Sequence, residues 1–313
     1  MFDKILVPLD RSALAECVLP HAVALAQAFN AELILFHVLS SSDEPDRLRA
    51  VDPLEWQLRR AEAESYLQGV CKRLRASGVV CEAQVSAGDP AELIVSFADE
   101  QGLRLILLAS HGQSGQSGWN VSSVVQKVVM RSRSSLMIVR AHAAPVPEGE
   151  ALQYKRILVP LDGSARAESV LPLANVLARL PETLVLAAHV VQRPVMPRRT
   201  PPSQEDTELA DRIVERNRVE AENYLEWVRL QLPPATVETR LLVAHQVAST
   251  LHALVEQERA DLVLLSAHGL SGETRWSHGS LVASFLAYGS CPLLIFQDAP
   301  DEHIVAVGAG DAV

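Results

Sequence analysis

The chain repeats itself. Lys4 to His21 reads KILVPLDRSALAECVLPH and Arg156 to Leu173 reads RILVPLDGSARAESVLPL, identical at 13 of 18 positions at a constant offset of 152. The match resumes at Leu107-Leu108-Ala109-Ser110-His111-Gly112 and Leu264-Leu265-Ser266-Ala267-His268-Gly269, now at an offset of 157. The second copy therefore carries a net insertion of five residues, placed at the Pro-rich stretch around Pro194 to Pro202. A repeat of this length is domain-sized rather than solenoid-sized. The reading is two copies of one fold, residues 1–141 and 155–298. A linker over 142–154 joins them, where Pro145, Pro147 and Gly149 interrupt the pattern, and a small-residue tail follows at 299–313.

Within each copy, short apolar runs alternate with longer amphipathic segments. In copy one the strands fall at Ile5–Leu9, Glu32–Leu39, Val80–Ala87, Leu105–Ala109 and Leu136–Arg140. The helices between them fall at Ala13–Phe29, Pro53 to about Ser77, Pro90–Gln101 and about Val121–Arg131. Copy two repeats the order, with strands near Ile157–Leu161, Leu184–Val191, Val237–Val243, Leu262–Leu265 and Leu293–Phe296. Continuous apolar runs are what a strand covered on both faces requires. Five strands alternating with four helices imply an α/β fold: a doubly wound, five-stranded parallel sheet in each copy, with right-handed crossovers. Ligands of such sheets sit at the carboxyl ends of the strands, where strand order reverses.

Two loops of each copy meet at that edge. The first is Leu9-Asp10-Arg11-Ser12 in copy one and Leu161-Asp162-Gly163-Ser164 in copy two. Its Asp can accept from a ribose hydroxyl or an adenine amino group, but Asp-x-Ser is also an ordinary helix cap, and spacing alone favours the cap. The second loop runs from His268-Gly269 to Gly279-Ser280 in copy two. Glycine lets backbone N–H groups approach phosphate oxygens, and a helix N-terminus adds partial positive charge. A glycine-rich turn before a serine-capped helix is nevertheless common in any α/β protein.

Together, the ILVPLDGS strand, the apolar strand ending in Ser-x-His-Gly and the later Gly-Ser resemble the universal stress protein family. Its ATP-binding members carry Gly, two residues, Gly, nine residues, then Gly-Ser or Gly-Thr. Copy two matches at Gly269 and Gly279-Ser280 but has Ser266 at the first glycine; copy one keeps Gly112, with Ala109 and Ser122-Ser123 at the other places. The loop interiors agree at Ser114, Gly115 and Trp119 over Ser271, Gly272 and Trp276. The resemblance implies ATP, with or without Mg²⁺, or another adenine nucleotide. Pro160, Leu161 and Asp162 would lie under the adenosine and Val190 against the adenine. Leu265, Ser266, His268, Gly269, Gly279, Ser280 and Leu281 would line the phosphate side. The weaker counterparts in copy one are Asp10, Val38, Ala109, His111, Gly112, Ser122 and Ser123. Ser122 sets a Cβ at the closest phosphate approach and disfavours positive φ, and Arg11 either offsets phosphate charge or fills the entrance. Copy two is therefore expected to be the better site, and copy one weakened or empty. The resemblance also implies an internal pseudo-dimer through the last strands, and two-fold pairs of such units as a homodimer.

Other features limit the alternatives. The formal charge of −10 supplies no basic stripe for a nucleic-acid partner. The N-terminus enters a strand at once, leaving no room for a signal peptide, and no apolar run reaches the roughly 20 residues of a membrane helix, so a soluble cytoplasmic protein is expected. Cys17, Cys71, Cys81 and Cys291 lack paired spacing and read as scattered reduced thiols. His111 and His268, and likewise His37 and His189, read as structural, and no cluster has metal-ligand spacing. The absence of GxxxxGK[ST] and of a nucleophile elbow leaves no catalytic residue to assign. Three functions stay open: a stress-response protein with a regulatory nucleotide, a weak ATP hydrolase, and a ligand-free interaction module.

Overall fold

Apolar runs joined by long amphipathic segments fold as parallel strands with helical crossovers, and in the computed structural model both copies do so. The structure describes residues 1–40, 53–112, 121–141, 152–195, 203–233, 236–269 and 278–297. The first half runs β1 (Lys4–Pro8), a 3₁₀ turn (Ala15–Val18), α1 (Leu19–Phe29), β2 (Glu32–Leu39), α2 (Pro53–Ala76), β3 (Cys81–Ala87), α3 (Pro90–Glu100), β4 (Leu105–Ala109), α4 (Ser123–Arg131) and β5 (Ser135–Val139). The second runs β6 (Arg156–Pro160), α5 (Ala165–Glu168), α6 (Leu171–Leu177), β7 (Leu184–Gln192), α7 (Gln204–Gln231), β8 (Val237–Ala244), α8 (Val247–Glu258), β9 (Leu262–Ser266), α9 (Ser280–Tyr288) and β10 (Leu293–Phe296).

The strands form one ten-stranded sheet in the order β3-β2-β1-β4-β5-β10-β9-β6-β7-β8. All pairings are parallel except β5 with β10, which run antiparallel in the register Leu293↔Ile138, Leu294↔Met137 and Ile295↔Leu136. Each half is thus a doubly wound five-stranded sheet, and the two meet through their last strands. Strand alternation builds the two core layers: Ile5 and Val7 of β1 pack into the layer under α1 and α2, while Leu6 faces the opposite layer with Ile94, Val125 and Val128. The halves are tied further by Tyr154, wholly buried, whose hydroxyl lies 2.8 Å from His21 Nδ1 on α1. Arg140, just beyond β5, donates to the Phe285 and Leu286 carbonyls at 2.6 and 3.0 Å, satisfying the end of α9.

Three differences from the sequence reading have local causes. The helix expected over Ala13–Phe29 is split into a 3₁₀ turn and α1, and its counterpart into α5 and α6. Pro20 and Pro172 lack the N–H that would continue the preceding helix, so each sits in the first turn of a new one. The inserted length also extends beyond the Pro-rich stretch. The buried stripe Ala63, Leu67, Val70 and Leu74 of copy one recurs as Ala221, Leu225, Val228 and Leu232, at an offset of 158. The extra residues therefore enter between β7 and Ala221, which includes the first half of α7. Cys71 and Cys81 are bonded to each other, joining α2 to β3, whereas Cys17 and Cys291 are free. The pairing was hidden because a helix and the strand after it bring together cysteines ten residues apart. Lastly, the C-terminal tail and most of the linker lie outside the described residues, as do Ser114, Gly115, Trp119, Ser271, Gly272 and Trp276.

Candidate functional site

At the end of β6 the chain turns through Asp162 and Gly163. Asp162 Oδ1 accepts from the Ser164 N–H at 3.0 Å and from its hydroxyl at 2.6 Å, and Ser164 Oγ accepts from Ala167 N at 3.1 Å to cap α5. Asp10, Ser12 and Ala15 make the same three bonds in copy one. The cap reading of Asp-x-Ser is correct, and it has a second consequence. With Oδ1 held by the serine, Oδ2 of Asp162 lies against Gly269, where a Cβ would overlap it; Asp10 Oδ2 lies against Gly112 in the same way. Glycine after the histidine is thus required by the close approach of the two loops. Strand two fixes the same turn: His37 Nδ1 lies 2.7 Å from the Leu9 carbonyl, and His189 Nδ1 lies 2.9 Å from that of Leu161. Both histidines donate there as structural groups.

The two copies part at the helix after strand four. Gly279 N–H donates to the Ala267 carbonyl at 2.8 Å, as Ser122 N–H does to Ser110, so the chain enters both helices alike. Ser122 then caps α4 with its own side chain, accepting from Val125 N at 3.4 Å. Gly279, at the corresponding place, has no side chain with which to cap α9, whose first residues Ser280 to Val282 border a cavity. The expected conflict at Ser122 over positive φ is not present: Gly279 and Ser122 have φ of −69° and −62°, extended backbone open to any residue. What distinguishes the glycine is the space it leaves, since a Cβ there would reach only ordinary contact with the Ala267 carbonyl.

Position 163 is the second point of difference. Gly163 has φ +82° and Arg11, its counterpart, has φ +70°. Glycine takes that conformation freely and arginine at a cost. The Arg11 guanidinium pairs with Glu62 on α2, 3.3 Å away. It is engaged by the protein's own carboxylate and is not among the residues that line the smaller cavity of the first half. In copy two, Glu220, the counterpart of Glu62, lines open space.

All eleven residues picked from the copy-two sequence, Pro160, Leu161, Asp162, Val190, Leu265, Ser266, His268, Gly269, Gly279, Ser280 and Leu281, border one cavity of about 1010 Å³. The seven of copy one, Asp10, Val38, Ala109, His111, Gly112, Ser122 and Ser123, border one of about 280 Å³. The sequence reading missed the wall given by α7, namely Asn217, Glu220, Ala221 and Tyr224, together with Val247 and Leu251 at the start of α8. One signal was available: Tyr66 and Tyr224 coincide at the offset of the buried stripe. Tyr66 donates to Glu16 at 2.8 Å, and Tyr224 lies beside Glu168, the repeat counterpart of Glu16.

Among the described residues lining the larger cavity there is no Lys or Arg. His268 lines this cavity, its ring nearly parallel to that of His278, with centroids 6.5 Å apart. Burial, helped by the neighbouring His268, pulls the His278 pKa down to about 4. In copy one the matching His111 is buried, with Nδ1 3.2 Å from the Ser110 hydroxyl.

The sequence model of the Universal stress protein family matches residues 1–140 and again 153–297. A universal stress protein of Methanocaldococcus jannaschii is 27% identical over 155 residues, which is 45% of this chain and 96% of that protein. The Bacillus subtilis universal stress protein YxiE is 30% identical over 151 residues, 45% of this chain and all of its own length. Among solved structures, a universal stress protein from Archaeoglobus fulgidus shares the fold over 95% of this chain and 99% of its own, with TM-score 0.64 and 18% identity.

Proposed function

The chain belongs to the universal stress protein family, with the family domain present twice, and from that premise we propose that its second half binds ATP or a related adenine nucleotide as a regulatory or stabilising ligand. The observation that carries this reading is the start of α9, where Gly279 carries no capping side chain, at the border of the larger cavity. An uncapped helix N-terminus offers several N–H donors and a partial positive charge, the arrangement that suits phosphate. The apolar groups Leu161, Val190 and Leu265 along the same cavity suit a purine. Mg²⁺ would arrive on the phosphates, because Asp162 is already engaged by Ser164. The first half is proposed to act without nucleotide, as the scaffold of the pseudo-dimer. Its helix cap is made by Ser122, and Arg11 is paired with Glu62. The protein is placed in the cytoplasm in this proposal; among the described residues, no helix is long and apolar enough to cross a membrane.

Native mass spectrometry of the purified protein, before and after addition of ATP and Mg²⁺, tests the reading on wild type and Gly279→Trp. One adenine nucleotide on the wild type and none on the variant is the expected result. A wild type that stays empty after addition sinks it and leaves an interaction module; nucleoside diphosphate released with turnover would favour the hydrolase.

A further inference from the structure

A nucleotide brings at least one negative charge, and the described lining of the larger cavity meets it with acids alone, Asp162 and Glu220, apart from imidazoles. His268 lines the cavity at the end where α9 begins, and His278 directly precedes Gly279. Their rings lie within 11° of parallel, 6.5 Å apart. Both ring nitrogens of His278 are buried without a hydrogen-bond partner. A neutral imidazole has one donor and one acceptor to satisfy, and each left unmade costs about 1–3 kcal/mol. Such a side chain next to an anion-binding helix start is a group waiting for a partner. Copy one has Val121 at this position, so the pair belongs to the second half alone.

We propose that His268 and His278 together form a protonatable phosphate contact, through which the domain 2 site takes up a proton along with its anionic ligand. The proposal rests on the nucleotide reading for the identity of that ligand. In the free protein, burial and mutual repulsion keep His278 neutral. A phosphate oxygen placed at the start of α9 reverses the balance, because opposite charge favours the imidazolium and gives its N–H an acceptor. Among the described residues, few titratable groups face the pair. The two histidines face each other, and Asp162 approaches from the β6 loop through its contact with Gly269. His189 of β7 is held by the Leu161 carbonyl, and His252 of α8 is turned to Ser284 Oγ at 3.0 Å. The first turn of α9, Ser280 to Ala283, carries no ionisable side chain; Glu273 and Arg275 lie outside the described residues. Binding is therefore expected to tighten as pH falls.

Titration calorimetry on the full chain between pH 5.5 and 8 tests this, with ATP and with inorganic tripolyphosphate as probes, on wild type, His278→Val and His268→Gln. The probes titrate in this range themselves, but identically for every protein, so the ratio of wild-type to variant affinity isolates the pair. If the anion restores an imidazole pKa near the ordinary value of ~6.5, that ratio rises about tenfold from pH 8 to pH 5.5. Both variants are expected to lose this proton-linked gain in their own affinity, and His268→Gln does so while keeping a hydrogen-bonding side chain. A ratio independent of pH overturns the proton linkage even if ATP binds well. If tripolyphosphate binds with the expected ratio and ATP does not bind, the proton-linked contact stands and the adenine-nucleotide reading falls. No binding of either probe overturns both.

Discussion

The helices that follow β4 and β9 are entered by the same backbone path and differ in what satisfies their first turn. In the first half, Ser122 turns its hydroxyl onto α4, and Arg11 reaches across to Glu62. In the second, glycine stands at both places, and among the described residues no side chain caps α9. The two halves share a fold and diverge at these two side chains. Under the proposed function, the cap and the ion pair of the first half would stand in for the ligand, so that the site changes without disturbing the scaffold.

The largest break in this comparison is expected from the glycines the halves have in common. Gly269→Val drives a Cβ into the serine-held Asp162, and Gly112→Val does the same to Asp10. Urea denaturation is expected to show each variant destabilised by about 1–3 kcal/mol, with nucleotide binding lost only in Gly269→Val. Acid acts on both halves through buried imidazoles. Burial pulls His21 in the first half and His278 in the second down to about 4, from an unfolded value of 6.5. Between these values the unfolded chain binds protons that the folded chain does not. Stability is thus intact above pH 6.5 and falls as the pH drops towards 4, by up to about 3 kcal/mol for each group. Melts of His278→Val across that window are expected to show a shallower loss than wild type.

Gly279→Ser transplants the cap of the first half onto the second. It is expected to raise stability by only about a few tenths of a kcal/mol and to weaken ATP roughly tenfold, the loss of about one charge-assisted hydrogen bond. The smallest effect belongs to Arg11→Gly. Relief of the positive φ, about 1 kcal/mol, offsets the loss of an exposed ion pair of at most about 1 kcal/mol, so melting moves little. Combined with Ser122→Gly it is expected to create a second, weak nucleotide site, detectable as a second binding phase.

Much of this was legible in the sequence. The repeat offset and the apolar runs located every strand, and the resemblance placed the antiparallel join at the last strands, where Leu136–Ile138 meets Leu293–Ile295. The strand-end loops brought the chosen residues to common cavities because a doubly wound sheet gathers its strand ends at one edge. The α7 wall was not legible: Asn217 and Glu220 look like any solvated helix face until the docking of that helix over β7 and β8 is known. The role of Arg11 was undecidable for the same reason, since its partner Glu62 is 51 residues away. The serine at position 122 was read as a backbone conflict when its effect lies in its hydroxyl, because φ is not visible in residue type alone.

Photolabelling with 8-azido-ATP, followed by peptide mapping, tests most directly the claim that the second half is the open one. The account predicts a single labelled region in the second half, in the peptide that carries Val190, and competition of the label by unmodified ATP. Labelling within residues 1–141, or equal labelling of the two halves, would contradict it.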